Sequence, residues 1–414
     1  MTLLARTIET QLEARLRTHG AALVTGAKAV GKTTTARAFA ASEVRLDQDP
    51  AALTAAQADP RLILDGANPR LIDEYQLADG VWNAVRGRID DRGEKGLFLL
   101  TGSATPELDQ TSHSGARRIA PIEMRTLTLL ERGLSSGGVS LGALLDGAAV
   151  PAEAHRIGVG EAIDALAIGG WPDNLELTPD DALDANADYI ETIANTDIQR
   201  VDGVERDPDR VRRLLASYAR NVATEAALRT IGRTAEEPFG ESALRDYLRA
   251  LRRLLLIEDQ PSWKPRLRSR VRLAATPKRH LADPSLAVAA LGATAERLRG
   301  PEIELAGHLF ESQVVHDLRV YAQAHRAGVR FYRDNKGLEV DAIVEARDGH
   351  WVGIEVKLGH NRVDDGARNL LALRKKLSAE ANAACGALLV VVADSPTYTR
   401  SDGVIVSSIA ALGP

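Results

Sequence analysis

Three sets of residues in this chain have the types and spacing that chemistry requires. The run Gly26-Ala27-Lys28-Ala29-Val30-Gly31-Lys32-Thr33-Thr34 sets two glycines ahead of a lysine and two threonines. Glycines let the backbone N–H groups around Ala29, Val30 and Gly31 close on phosphate oxygens, and a helix starting there, through Thr34, adds its positive end. Lys32 then reaches the outer phosphates and Thr33 offers a hydroxyl to Mg²⁺. The second set is the acid pair Asp73-Glu74 closing PRLIDE at 69–74. Asp73 is suited to hold the metal through water and Glu74 to position or deprotonate an attacking water, which points to hydrolysis rather than nucleotide storage. The third is Asp341, Glu355 and Lys357, with Glu311 upstream. Asp341 and Glu355 supply hard oxygen ligands for a divalent cation, and Lys357 can polarise water and neutralise charge on a phosphodiester.

Each set needs a scaffold. Ala21–Thr25 is a short apolar run before the glycine loop and ARAFAA follows with helical spacing, so the loop joins a strand to a helix. Leu97–Leu100 reads as another strand, ending in Thr101, Gly102 and Ser103; hydroxyls at that carboxyl edge are placed to sense a γ-phosphate. Arg117 and Arg118 precede a further apolar run; they stand either as arginines that stabilise phosphoryl charge in a neighbouring subunit or as solvated edge residues. In the last third the order is a long amphipathic helix from 302, three strands, a charged helix near 362–378 and a strand GALLVVVAD. Glu355 and Lys357 lie two apart on one strand and face the same way. Their alternative is a surface ion pair contributing at most about 1 kcal/mol.

The order GAKAVGKTT, LIDEYQ, LLTGSA, GARRIAPIEMRTLTLLERG and IGGWPDN resembles, over nearly the whole chain, the AAA+ ATPase family whose C-terminal region is called DUF4143. The resemblance implies an α/β fold: a P-loop, AAA+-like ATPase core over 1–150, using ATP and Mg²⁺, then a helical lid over 151–205. It places Gly169–Pro172 in that lid, with Pro172 close to the adenine. The Glu311, Asp341, Glu355-x-Lys357 order over 281–414 is similar to the PD-(D/E)xK, restriction-endonuclease-like nucleases, departing from them in having Glu339-Val340 rather than a proline before Asp341.

Between these parts, 206–280 carries 18 Lys and Arg against nine Asp and Glu, although the chain as a whole is at −5. Three helical patterns followed by WKPRLRSRVRLAATPKRH read as a winged helix whose basic strand pair grips nucleic acid, DNA foremost. Lys264, Arg266, Arg268, Arg270, Arg272, Lys278 and Arg279 are the expected phosphate contacts, with Trp263 stacking or wedging; solvated helix faces, or a wing docked on a sister domain, are the competing reading. Seven such contacts predict affinity falling with about the sixth power of salt.

Length and composition bound the rest. At 414 residues, 44% hydrophobic and 26% charged, the chain is globular and of several domains, neither disordered nor fibrous. No run reaches the roughly 18 apolar residues of a membrane span and no secretory pattern opens the chain, so no membrane partner and a cytoplasmic location are expected. The single cysteine, Cys385, sits in an apolar strand pattern, and His308, His316 and His325 lack ligand spacing, so packing roles are expected for all four. The function expected is Mg²⁺-dependent ATP hydrolysis that moves the basic and nuclease-like parts on nucleic acid, with or without DNA cleavage. The alternative is a nucleotide-controlled regulatory or scaffold protein with a protein partner and an inactive nuclease-like part. A homo-oligomer is left open.

Overall fold

A computed structural model describes residues 4–104, 115–235, 237–265 and 276–414. The chain divides into two compact units, one of 1–125 with 253–255 and the other of 126–252 with 256–414.

The first unit is built on a parallel sheet of β1 (Ala21–Thr25), β2 (Ser42–Arg45), β3 (Arg70–Asp73), β4 (Phe98–Gly102) and β5 (Ile119–Glu123). Their order across the sheet is β2-β3-β4-β1-β5. Every residue of β1 and β4 is buried, as central parallel strands covered on both faces require. Helices α1 (Glu9–Thr18), α2 (Lys32–Arg37), α3 (Pro50–Ala58) and α4 (Val81–Arg92) connect or flank the strands. The core joins Leu23, Ile72, Phe98 and Leu100 to Val81, Val85 and Ile89 of α4. Register aligns Thr25 with Gly102 and Arg45 with Asp73, so the functional ends of β1, β3 and β4 share the carboxyl edge, where open α/β sheets bind ligands. This is a P-loop NTPase fold.

The second unit begins with β6 (Val139–Ser140) and α5 (Leu141–Leu145), followed by α6 (Val159–Ile168) and α7 (Pro179–Thr192). After them come α8 (Ile198–Arg200), α9 (Pro208–Arg220), α10 (Leu228–Thr234) and α11 (Glu241–Arg253). Short segments then pair antiparallel through Ile257 with Leu281 and Gln260 with Lys278. Helices α12 (Pro284–Ala290), α13 (Ala295–Arg299) and α14 (Ile303–Ala324) lead to β7 (Gly328–Arg333), β8 (Glu339–Glu345) and β9 (Trp351–Val356), then α15 (Val363–Lys376), α16 (Ala379–Ala383) and β10 (Cys385–Val392). With β11 (Tyr398–Thr399) and β12 (Ile405–Ser408) the sheet runs β11-β12-β10-β9-β8-β7. Strands β7, β8 and β9 pair antiparallel, whereas β10 lies parallel to both β9 and β12.

Helix α14 departs from the expected amphipathic stripe. From Leu309 to Ala322 every residue is buried, so the helix is central and its polar side chains must find partners inside. His316 does so between Thr126 Oγ1 and Asp317 Oδ1, at 2.9 Å each. Among the described residues no helix is long and apolar enough to cross a membrane.

Candidate functional site

At the end of β1 the loop turns through two left-handed residues, Ala29 at φ 63° and Gly31 at φ 93°, which aim successive N–H groups to one side before α2 starts at Lys32. Gly26 is required for space: a Cβ there would lie 2.3 Å from the Met124 carbonyl oxygen. Lys32 is buried, and its Nζ donates to the carbonyls of Gly26 at 3.0 Å and Ala27 at 2.9 Å, folded back on the loop that would cradle phosphate. Burial pushes this ammonium down to about 8, against the opposing pull of Glu74 and Asp73.

Asp73, at the end of β3, is the hub of the site. Thr33 Oγ1 donates to its Oδ1 at 2.7 Å, the Thr101 hydroxyl donates to the same oxygen, and Arg45 Nε lies 3.5 Å from Oδ2. Glu74 is left-handed at φ 52°; its N–H donates to Thr101 Oγ1 at 3.1 Å. Its carboxylate Oε2 accepts from Ser103 Oγ at 3.0 Å and from the Gln76 amide. The structure therefore brings Lys32, Thr33, Asp73, Glu74, Thr101 and Ser103 to one edge. Arg45 and Gln76 complete it; Arg45 is signalled only by lying beside Asp73 in the sheet register, and Gln76 only by lying two residues beyond Glu74. Arg118 Nε pairs with Asp90 of α4 at 2.8 Å, while Arg117 is exposed at φ 68°.

In the second unit Pro172 opens a short turn after buried Trp171, which packs at a tilt of 42° against Tyr189 with ring centroids 4.6 Å apart. Gly170 fixes that loop by donating to Asp283 Oδ2 at 2.9 Å and accepting from the Leu127 N–H at 2.7 Å.

A second cluster lies where α14, β8 and β9 meet. Lys357 Nζ is 2.7 Å from Glu355 Oε2 and 3.4 Å from Asp341 Oδ2, and the Val356 N–H donates to Asp341 Oδ2 at 2.9 Å. On the other side of Asp341, Lys278 Nζ sits 2.6 Å from Glu311 Oε1, 2.6 Å from Glu339 Oε1 and 3.3 Å from Asp341 Oδ1. Asp341, Glu355, Lys357 and Glu311 are thus brought together, and Glu339 and Lys278 are added. The place of Glu339 was legible, because it lies two residues before Asp341 on one strand and shares its face. Burial and the charge of Asp341 hold Glu311 and Glu355 up to about 8 each, against the pull of the lysines. Burial alone would lower Lys278, yet Glu311, Asp341 and Glu339 hold it well above its usual range. Among the described residues no three His, Cys, Asp or Glu side chains stand arranged to hold a metal.

Three of the expected nucleic-acid contacts are corrected. Trp263 is 1% exposed, packed 5.0 Å from Trp351 and 6.4 Å from Tyr332 by ring centroids, so it can neither stack on nor wedge between bases. The apolar ring follows its backbone, which donates to the Phe331 carbonyl at 2.6 Å and draws the side chain into the core of the C-terminal sheet. Lys278 is spent on the carboxylate cluster. Arg279 is 3% exposed and spent on Asp259 Oδ2 at 2.8 Å and the Ala226 carbonyl at 3.0 Å. Lys264 is exposed, and Arg266, Arg268, Arg270 and Arg272 lie outside the described residues.

Residues 18–132 match the family described as an AAA domain, 160–297 the domain of unknown function DUF8612, and 306–412 the domain of unknown function DUF4143. Among solved structures the chain is similar to the Walker-type ATPase PABY2304 of Pyrococcus abyssi, at 14% identity over 69% of this chain and 95% of that one, with a TM-score of 0.42. It is also similar to a DNA replication initiation factor, at 12% identity over 59% and 85% of the two chains, with a TM-score of 0.25. No curated protein matches. An AAA-domain match at 18–132 and a DUF4143 match at 306–412 thus stand in the order the resemblance implied, with the DUF8612 match between them.

Proposed function

We propose that this AAA- and DUF4143-containing protein binds ATP with Mg²⁺ at the Gly26–Thr34 loop, hydrolyses it, and uses the cycle to act on nucleic acid, DNA foremost. The observation that carries the ATPase reading is the single edge holding Lys32, Thr33, Asp73 and Glu74. The residues fit the nucleotide: the loop's left-handed turns present N–H donors, and Lys32 is held by two carbonyls that phosphate oxygens can replace. Thr33 and Asp73, already 2.7 Å apart, would hold the cation, which neutralises phosphate charge when bound. Glu74 would orient the attacking water and accept its proton. In the arrangement described, its carboxylate is engaged by Ser103 and Gln76, so reaching a water requires releasing at least one of those bonds.

The nucleic-acid reading is supported by the helices α9, α10 and α11 followed by the antiparallel pair at 257–260 and 278–281, an order that suits a winged helix, and by exposed Lys264. A second reading has its own observation. Lys278 neutralises the Asp341 cluster from within, which favours a DUF4143 region that serves as a scaffold under nucleotide control rather than as a nuclease.

ATP turnover, measured with and without a panel of single- and double-stranded DNA and RNA, tests the first reading. Lys32→Ala is expected to abolish turnover. Glu74→Gln is expected to keep nucleotide binding while lowering turnover at least a hundredfold, in the range of a lost general base. Wild-type rates unmoved by every nucleic acid would hand the case to the scaffold reading, and turnover surviving in Lys32→Ala would remove the site.

A further inference from the structure

We propose that the Lys278 ammonium stands in the place of a divalent cation among Glu311, Glu339 and Asp341, so that this protein meets the charge of its C-terminal carboxylate cluster with a side chain of its own rather than with a metal ion. The inference concerns the DUF4143 region and does not depend on the ATPase reading.

Three carboxylates from two separate elements, α14 and β8, converge on one nitrogen. An ammonium has three N–H donors and no acceptor, so three oxygens exhaust it. Two of the contacts, at 2.6 Å, are at the outer limit of calcium–oxygen distances, and a metal at the same point would need the same oxygens. Lys278 is 1% exposed, so water cannot share this work. The remaining Asp341 oxygen is occupied as well, by the Val356 N–H and Lys357.

The lysine is also built in rather than resting there. Lys278 exchanges both backbone bonds with Gln260, at 2.9 and 3.0 Å. The Gln260 side chain in turn donates to the carbonyls of Asp341 at 3.0 Å and Arg330 at 3.1 Å and meets His280 Nε2 at 3.2 Å. His280 Nδ1 reaches Ser312 on α14 at 3.0 Å. The segment that delivers the ammonium is thereby clamped to the same helix and strand that deliver the carboxylates. A lysine meant for solvent or for phosphate would have no need of this frame.

The test reads Mn²⁺ directly, by electron paramagnetic resonance titration without nucleotide, together with thermal unfolding with and without Mn²⁺. Wild type and Asp341→Asn are expected to bind Mn²⁺ alike. Lys278→Ala is expected to melt lower, to regain stability with Mn²⁺, and to bind it at least tenfold more tightly than wild type; adding Asp341→Asn to it should cancel both gains. If Lys278→Ala does not fold, Lys278→Met with Glu311→Gln decides, because it removes one carboxylate charge and keeps Glu339, Asp341 and Glu355. A folded variant indifferent to Mn²⁺, or wild-type Mn²⁺ uptake that Asp341→Asn abolishes, overturns the proposal. ATP turnover enters none of these readings, so failure here leaves the P-loop assignment where it stands.

Discussion

Lys32 is the residue at which environment and task meet most directly. Its ammonium, lowered to about 8 by burial, must be charged to face a triphosphate, and bound phosphate raises it again, so nucleotide binding takes up a proton once the pH passes 8. Below about pH 7 the group is already charged in the free protein and contributes no pH dependence. Above 8, ATP affinity should fall, approaching tenfold per pH unit as one proton is demanded per binding event. Fluorescence titration of a nucleotide analogue between pH 6.5 and 9.5 measures this; a flat profile across that range would show that Lys32 keeps its proton without phosphate.

The segments 257–263 and 278–281 are where an element's composition and its placement diverge. The seven cations of 262–280 suggested a strand pair given over to phosphates, yet Trp263 anchors one arm in the apolar core of the C-terminal sheet and Lys278 and Arg279 are consumed inside the unit. Two substitutions separate anchoring from contact. Trp263→Ala should cost about 3–5 kcal/mol in denaturant unfolding, the range for emptying a buried aromatic site. Lys264→Ala should leave stability within about 0.5 kcal/mol, as exposed changes do. If Lys264, Arg266, Arg268, Arg270 and Arg272 are the phosphate contacts, the log–log salt slope for duplex DNA is about 4.5 rather than the sixth power that seven cations implied, and Lys264→Ala lowers it by about 0.9. A slope unchanged by Lys264→Ala would take that residue off the interface.

For the whole molecule, the proposed coupling of ATP to nucleic acid has a thermodynamic consequence that needs no assumption about the path between the sites. A non-hydrolysable nucleotide that changes DNA affinity by some factor must have its own affinity changed by DNA by the same factor. Couplings of this kind commonly span about 5- to 150-fold. Measuring both dissociation constants with and without the other ligand checks the factor twice; a factor of one in both directions would leave two independent binding functions on one chain.

By itself the sequence determined the features whose parts lie within a few residues. The Gly26–Thr34 loop between a strand and a helix is one, because the groups that cradle phosphate are consecutive, although the left-handed turn at Ala29 runs against alanine's own preference and is imposed by the fold around it. The facing of Glu339 with Asp341, and of Glu355 with Lys357, is another, because alternation along a strand follows from the pleat. Only the tertiary structure decided what each cation does. Lys264 and Lys278 read alike in a basic run, but Lys278 meets Glu311, Asp341 and Glu339 from 33 to 63 positions away, whereas Lys264 remains in solvent. The free energy of a buried charge is set by whichever opposite charges the fold carries to it, and that pairing leaves no periodic trace along the chain.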